Sequence, residues 1–406
     1  MTRKVTLVLL DKGGEPLGSL PPYTVETPWW PEVGEVVDTA RALWNIDVVV
    51  LRTIGPPDRS GPPGGEVTYV AEVDPASRLP TLAPADERAK ADVEPHPYRA
   101  PWASPGGPAA TTAWATAALE ARGVTPTAFV QRKSWNLSAI WRVETAESPL
   151  WLKQVPTFFA HEPALLRWLG AAVPGVATEL IVGEGGRALL AHVPGEDRFG
   201  ASAAELREML TDLHRIQAYA ADRIEELLDL GVPGRRNHLA LPAIQTVAAR
   251  YGPTLEPALR TSLDTLVDGL PERFAEVAAC GLPDTLVHGD FQGGNVRSDD
   301  KRRVIIDWGD STIGDPTMDI ARAIGGLPDA DRDTLVNEWA ARWRSHTPGC
   351  DPARALQLML PVVDLLYAVV YTGFLDQIEP SEWPYHRDDP PDCLRSAVRR
   401  ADLIAS

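Results

Sequence analysis

Positive charge is scarce in this sequence: 39 Lys and Arg stand against 56 Asp and Glu, a formal net charge of −17 over 406 residues. A nucleic-acid backbone or an anionic membrane surface requires clustered Lys and Arg, so neither partner is expected. Cysteine is scarcer still. Cys280, Cys350 and Cys393 lie far apart and match no metal-ligand spacing or disulfide framework, which suits a reducing compartment. The apolar run at residues 5–10 is too short for a signal peptide or a membrane span, and a cytoplasmic location is the default expectation. No internal repeat occurs. Oligomeric state is not legible.

At roughly 150 residues per domain the length implies two or three domains. Residues 1–75 predict a small α/β unit, with strands at 5–10, 47–51 and 67–73 and a short helix at 34–44. Residues 76–108 are rich in Pro, Gly and Ala and are expected to form a linker. A second domain, 109–193, predicts a helix at 113–122, strands at 129–133, 139–144 and 150–154, a helix at 161–169, and a hairpin of 176–182 with 187–193 around Gly183-Glu184-Gly185-Gly186. From 194 to 406 the pattern turns helical. Leu206, Leu210 and Leu213 recur at helical spacing, 263–280 is expected to break near Pro271, and 361–375 predicts a long apolar helix opened by Pro361.

The most informative stretch is Leu286-Val287-His288-Gly289-Asp290-Phe291-Gln292-Gly293-Gly294-Asn295-Val296, followed by Val304-Ile305-Ile306-Asp307-Trp308-Gly309-Asp310. Two short apolar strands enclose a polar loop with oxygen-bearing side chains at its corners. Phosphoryl transfer requires positioning, a hard cation on the phosphates and a carboxylate facing the incoming hydroxyl. Asp290 suits the last role, and Asn295 and Asp307 supply oxygen ligands of the kind Mg²⁺ takes. The pattern resembles the catalytic loop and metal motif of protein kinases. In its His-Gly-Asp form, with Gly314-Asp315-Pro316 and Asp319 downstream, it is similar to the aminoglycoside phosphotransferase family. The resemblance spans roughly residues 110–400.

That resemblance implies an α+β, bilobal protein-kinase-like fold, with a small antiparallel-sheet N-lobe and a helical C-lobe behind the N-terminal α/β domain. It implies an ATP- and Mg²⁺-dependent kinase acting on a hydroxyl of a small molecule, with aminoglycoside-, amino-sugar- and choline-like acceptors all open. By it, Asp290 is the catalytic carboxylate, His288 orients the loop, Asn295 and Asp307 bind Mg²⁺, and Asp319 holds the loop backbone. Lys153, ending a strand, would pair the α- and β-phosphates, held by Glu162. No Walker-type glycine loop precedes Lys153. Residues 133–138 take that place, and Ser134, Asn136 and Ser138 are the candidate phosphate contacts. Ala191 and Val193 occupy the hinge whose backbone would read adenine.

Asp364, Tyr367 and Tyr371 share one face of the late helix and are candidates for the acceptor side. Residues 1–75 resemble a Nudix fold lacking its metal-binding glutamates: 38–45 reads Asp-Thr-Ala-Arg-Ala-Leu-Trp-Asn. Diphosphate hydrolysis requires clustered carboxylates, so this domain is expected to be an accessory module. The rival expectation for the whole chain is a nucleotide-binding regulatory protein of the same fold without turnover.

Overall fold

In a computed structural model that describes residues 2–55, 61–74, 76–85, 94–299 and 301–405, the first sheet is built around β1 (Arg3–Leu10). Val5, Leu7 and Leu9 bury into one cluster and Val8 and Leu10 into another, as the two-residue period of a strand dictates. β2 (Pro16–Ser19) and β3 (Tyr23–Val25) pair antiparallel with β1. α1 (Gly34–Trp44) follows, closed by Asn45 in a left-handed conformation, φ 54°. β4 (Val48–Ile54) and β5 (Gly65–Val73) complete the order β2-β1-β5-β4, with β5 parallel to β1 and antiparallel to β4.

α2 (Gly107–Glu120) starts earlier than the expected residue 113. Gly106 takes φ 75° and Pro108 sits in the first turn, where its missing N–H costs nothing. Just before it, Trp102 in the turn Pro101–Ala103 is buried in the core of the second sheet. That sheet contains β6 (Ala128–Trp135), β7 (Ser138–Glu144), β8 (Leu150–Gln154) and, after α3 (Glu162–Ala172), β9 (Leu180–Glu184) and β10 (Arg187–Ala191). Its order is β6-β7-β8-β10-β9. The expected hairpin turn is present, with φ 56° at Gly185 and 79° at Gly186, values that favour glycine. The expected strand start at 176 is not. Val176 and Ala177 pair with Ile305 instead, and β9 begins at Leu180.

The later chain is mainly helical. β11 (Glu196–Asp197) leads to α4 (Ala203–Ala221), which opens on a Ser202–Glu205 capping box. α5 (Ile224–Asp229), α6 (Asn237–Tyr251), α7 (Pro257–Asp268) and α8 (Leu270–Ala279) follow, the last two divided next to Pro271 as expected. β12 (Thr285–Val287), β13 (Val296–Ser298), β14 (Arg303–Ile305) and β15 (Thr312–Gly314) form two small sheets, β11-β13-β14 and β12-β15. α9 (Thr317–Ala323), α10 (Asp329–His346), α11 (Pro352–Leu375) and α12 (Asp389–Ala405) end the chain. α11 begins well before Pro361, which lies inside it. Among the described residues, α11 alone is long and apolar enough to cross a membrane, but 72% of that window is buried inside the protein, and Val362, Leu365 and Leu366 are core residues.

The fold is therefore mixed α+β, with sheets in the N-terminal part and helices in the C-terminal part. The chain divides into two compact units. One comprises Met1–Ala160, Ile181–His192 and Phe374–Arg387, the other His161–Leu180, Val193–Gly373 and Asp388–Ser406. Within the first, the side-chain amide of Gln131 on β6 accepts from Val50 N–H (2.8 Å) and donates to Val50 C=O (2.7 Å). It thereby satisfies buried backbone groups of the first sheet as a further strand would.

Candidate functional site

The loop 288–295 is suspended between β12 and the β13–β14 hairpin. Its entry is pinned by Asp319 in the first turn of α9. That carboxylate accepts from His288 N–H (2.9 Å), Gly289 N–H (3.0 Å) and the Gln217 side chain (2.9 Å). Burial pushes the Asp319 carboxyl up to about 6, against those hydrogen bonds and the proximity of His288. Gly289 has φ 87°, and a Cβ there would lie 2.3 Å from the Asp310 carbonyl oxygen, so only glycine fits.

His288 is fully buried. Its Nε2 lies 2.9 Å from the Ile306 carbonyl oxygen, and Asp290 N–H points at its Nδ1 (3.3 Å). A carbonyl can only accept, so the ring carries its proton on Nε2 and presents the Nδ1 lone pair to the loop. The imidazole thus ties the backbone of the loop 288–295 to the segment that leads into Asp307.

Asn295 Nδ2 donates to the Asp290 carbonyl (2.8 Å) and to Asp290 Oδ2 (2.9 Å). Val296 is opposite Ile305 in the hairpin, and Ile306 N–H donates to Asn295 C=O (2.9 Å). Asn295 and Asp307 consequently lie at the same end of that hairpin. Asp307 is exposed and adopts φ 62°, a left-handed backbone that is strained for a residue with a Cβ. The neighbouring residue holds it there: Trp308 N–H donates to Glu162 Oε1 (3.0 Å), its indole N–H donates to Ile305 C=O (3.1 Å), and the ring is fully buried.

The sequence candidates therefore fall into two groups. His288, Asp290, Asn295 and Asp307 converge on one loop and one hairpin end, with Asp319 behind them. Glu162, the first residue of α3 and 2% exposed, supports the Asp307 turn through Trp308. Lys153 is buried on β8, opposite Ile140 and Ala188. Ala191 ends β10 opposite Leu150, and the Val193 carbonyl accepts from Arg297 Nε (3.1 Å). The three candidates of the 133–138 turn are buried and bonded to protein. Ser134 Oγ donates to Leu51 C=O (3.0 Å), Asn136 Nδ2 to Glu382 C=O (3.4 Å), and Ser138 Oγ accepts from the Trp135 indole (3.0 Å).

On the expected acceptor side, Asp364 is paired with Arg400 of α12 (3.0 Å), and burial raises its carboxyl. Tyr367 Oη donates to the Gly289 carbonyl (2.8 Å) and so buttresses the loop. Burial raises the Tyr371 phenol, with Asp389 adding to the shift and Arg322 opposing it. One residue escaped the sequence reading. Arg322 Nε and Nη2 each lie 2.9 Å from Asp290 Oδ1. Its signal was position: three residues after Asp319 on α9, it occupies the same helix face.

The model of the phosphotransferase enzyme family matches residues 129–356, which leaves the first 128 residues outside. Among solved structures, a protein of Ralstonia eutropha JMP134, provisionally named an aminoglycoside phosphotransferase, is 19% identical with a TM-score of 0.50, over 71% of this chain and 98% of its own. The apoenzyme of a macrolide 2'-phosphotransferase from Brachybacterium faecium is 18% identical with a TM-score of 0.49, over 68% of this chain and 98% of its own. At such identities the likeness is one of fold, and it rests on the first of the two. No curated protein matches the chain.

Proposed function

Because this chain belongs to the phosphotransferase enzyme family, we propose that it moves the terminal phosphoryl group of ATP to a hydroxyl of a small molecule, with Asp290 receiving that hydroxyl. The observation that carries this reading is the geometry of Asp290. Its carboxylate is one-third exposed, held by Asn295 on one oxygen, on a loop whose backbone is fixed by Asp319, His288 and Tyr367. Such preorganisation is what an in-line transfer asks of a protein.

The donor set fits Mg²⁺. The Asn295 amide nitrogen is turned to Asp290, which leaves Oδ1 facing away from it, and Asp307 presents an exposed carboxylate at the same hairpin end. Hard oxygen donors of this kind suit Mg²⁺. When bound, Mg²⁺ and ATP supply phosphate neutralisation and the phosphoryl group itself. The strained Asp307 backbone, held by Trp308 and Glu162, keeps that carboxylate aimed before any ligand arrives. Asp290 accepts the hydrogen bond of the acceptor hydroxyl and takes its proton as the new O–P bond forms and the bond from that phosphorus to the bridging oxygen breaks, that oxygen leaving with ADP. Lys153 is proposed for the α- and β-phosphates, and Ala191 and Val193 for the adenine edge. Ser134, Asn136 and Ser138 contribute their backbone at most, since their side chains are engaged elsewhere.

Asp290→Asn tests this directly. In a coupled ADP-release assay across hydroxylated metabolites, kcat is expected to fall by about 10²–10⁴-fold while nucleotide binding, followed by calorimetry, is retained. Equal turnover by the variant and the wild-type chain would remove Asp290 from the mechanism.

A further inference from the structure

The carboxylate of Asp290 has two differently occupied oxygens. Oδ2 faces Asn295, and through it the hairpin end that carries Asp307. Oδ1 faces Arg322, whose Nε and Nη2 both reach it at 2.9 Å. If the nucleotide and its metal occupy the Asn295 side, the acceptor approaches on the Arg322 side.

That side is unlike a cation site. The Arg322 side chain is 44% exposed, and its guanidinium sits 6.0 Å from the Tyr367 ring centroid, with Tyr371 also within electrostatic range. Asp364, the acid expected to anchor a cationic acceptor, is paired with Arg400 and bonded to Ser396. Arg235 also interacts with Tyr367; burial opposes its charge and Asp310 supports it. Asp389, at the start of α12, interacts with Tyr371. An ammonium next to the reacting hydroxyl would thus meet a guanidinium already seated on the catalytic carboxylate, and like charges at that range repel. An anionic group there would instead gain a charge-assisted hydrogen bond from the same arginine.

The geometry points to an acceptor that carries an acid group close to the hydroxyl it gives up, with Arg322 receiving that group. Asp290 Oδ1 and the Arg322 nitrogens are in hydrogen-bond contact, so the hydroxyl and the acid are separated by about two or three bonds. This rests on the phosphotransfer reading and narrows it to hydroxy acids, with a carboxylate or a phosphate monoester as the acid. The tighter charge match of an amino-sugar- or choline-like acceptor is lost by the same geometry.

A matched three-carbon series on the full chain decides it: glycerate, glycerol phosphate, glycerol and 3-amino-1,2-propanediol, with gluconate, glucose 6-phosphate, glucose and glucosamine as the six-carbon set. The acid members should exceed the neutral and amino members in kcat/KM by about 10–100-fold, the range a hydrogen bond to a charged group supports. The carboxylate and phosphate arms separate the two acid sources. Arg322→Gln should raise KM for acids more than for neutral or amino members, beyond any effect on kcat common to all classes, and Arg322→Lys should restore part of the difference. A preference for amino or neutral members would overturn the inference. So would an Arg322→Gln variant that lowers kcat equally for every class, which would mark Arg322 as merely holding Asp290, or a failure of every acid to bind the wild-type chain in calorimetry. If acids bind through Arg322 but no acceptor raises ADP release above the Asp290→Asn level, the phosphotransfer reading fails and the acid site stands.

Discussion

Asp319 and Glu382 are both carboxylic acids with almost no exposure, 1% and 3%, yet their surroundings differ. Asp319 serves three donors with its two oxygens and holds the entry of the loop 288–295. Glu382 spends one oxygen on Thr53, accepting from its N–H (2.9 Å) and hydroxyl (3.1 Å), while Oε2 has no hydrogen-bond partner among the described residues. Burial pushes the Glu382 carboxyl up to about 7, opposed by the Thr53 hydrogen bonds and supported by nearby Glu379. It lines a cavity of about 320 Å³ with Arg52, Arg99 and Glu379. Burial alone therefore does not define what an acid does. The number of donors that remain orphaned when it is removed does.

Asp319→Ala should show this most strongly. It strands two buried backbone N–H groups, each worth about 1–3 kcal/mol, and releases the loop that carries Asp290. Urea denaturation should report a loss of roughly 2–6 kcal/mol, with kcat collapsing in parallel. If Glu382→Ala is equally destabilising at neutral pH, the contrast between the two acids is broken.

The second test uses pH. Both carboxyls hold protons more tightly in the folded chain than in the unfolded one. Each therefore contributes stability that is complete below the ordinary carboxyl range and is lost as pH rises, through about 6 for Asp319 and about 7 for Glu382. For Glu382, raised from 4.5, the difference between the two ends of that range is about 3 kcal/mol. Glu382→Gln cannot ionise, so its stability curve should flatten between about pH 5 and 7.5, leaving the losses from the other raised carboxyls, Asp319 among them. A curve parallel to that of the wild-type chain would show that Glu382 does not titrate there.

The smallest effect is expected from Tyr367→Phe. It removes one hydrogen bond to the Gly289 carbonyl, about 1 kcal/mol, without stranding a donor. Thermal unfolding should shift slightly, and kcat should fall less than in Asp319→Ala. A loss of kcat as large as that of Asp319→Ala would show that Tyr367 holds Asp290 in position as firmly as Asp319 does.

Much of the loop was legible because its geometry is local. Apolar runs at 286–287 and 304–306 predict strands, and the polar residues between them fall on the connecting loop, so Asp290, Asn295 and Asp307 could be grouped from spacing alone. The turn at 133–138 misled for the opposite reason. Its Ser and Asn side chains are bonded to partners 83 and 246 residues away, which no local pattern reveals. The late helix misled in part. One helix face was read correctly, but Asp364 on it is engaged by Arg400 and Tyr367 by the loop.

Residue order by itself determined most of the longer strands, the hairpin glycine turn and the placing of three oxygen-bearing side chains about one loop and hairpin end, because a chain of fixed bond geometry allows few directions over a handful of residues. Tertiary structure alone decided which buried polar group meets which partner: Asp319 beneath the His288 N–H, Glu162 behind Asp307, Glu382 beneath Thr53, 329 residues away. Those pairings arise only when remote segments exclude water together, and exclusion of water makes each of them energetically decisive.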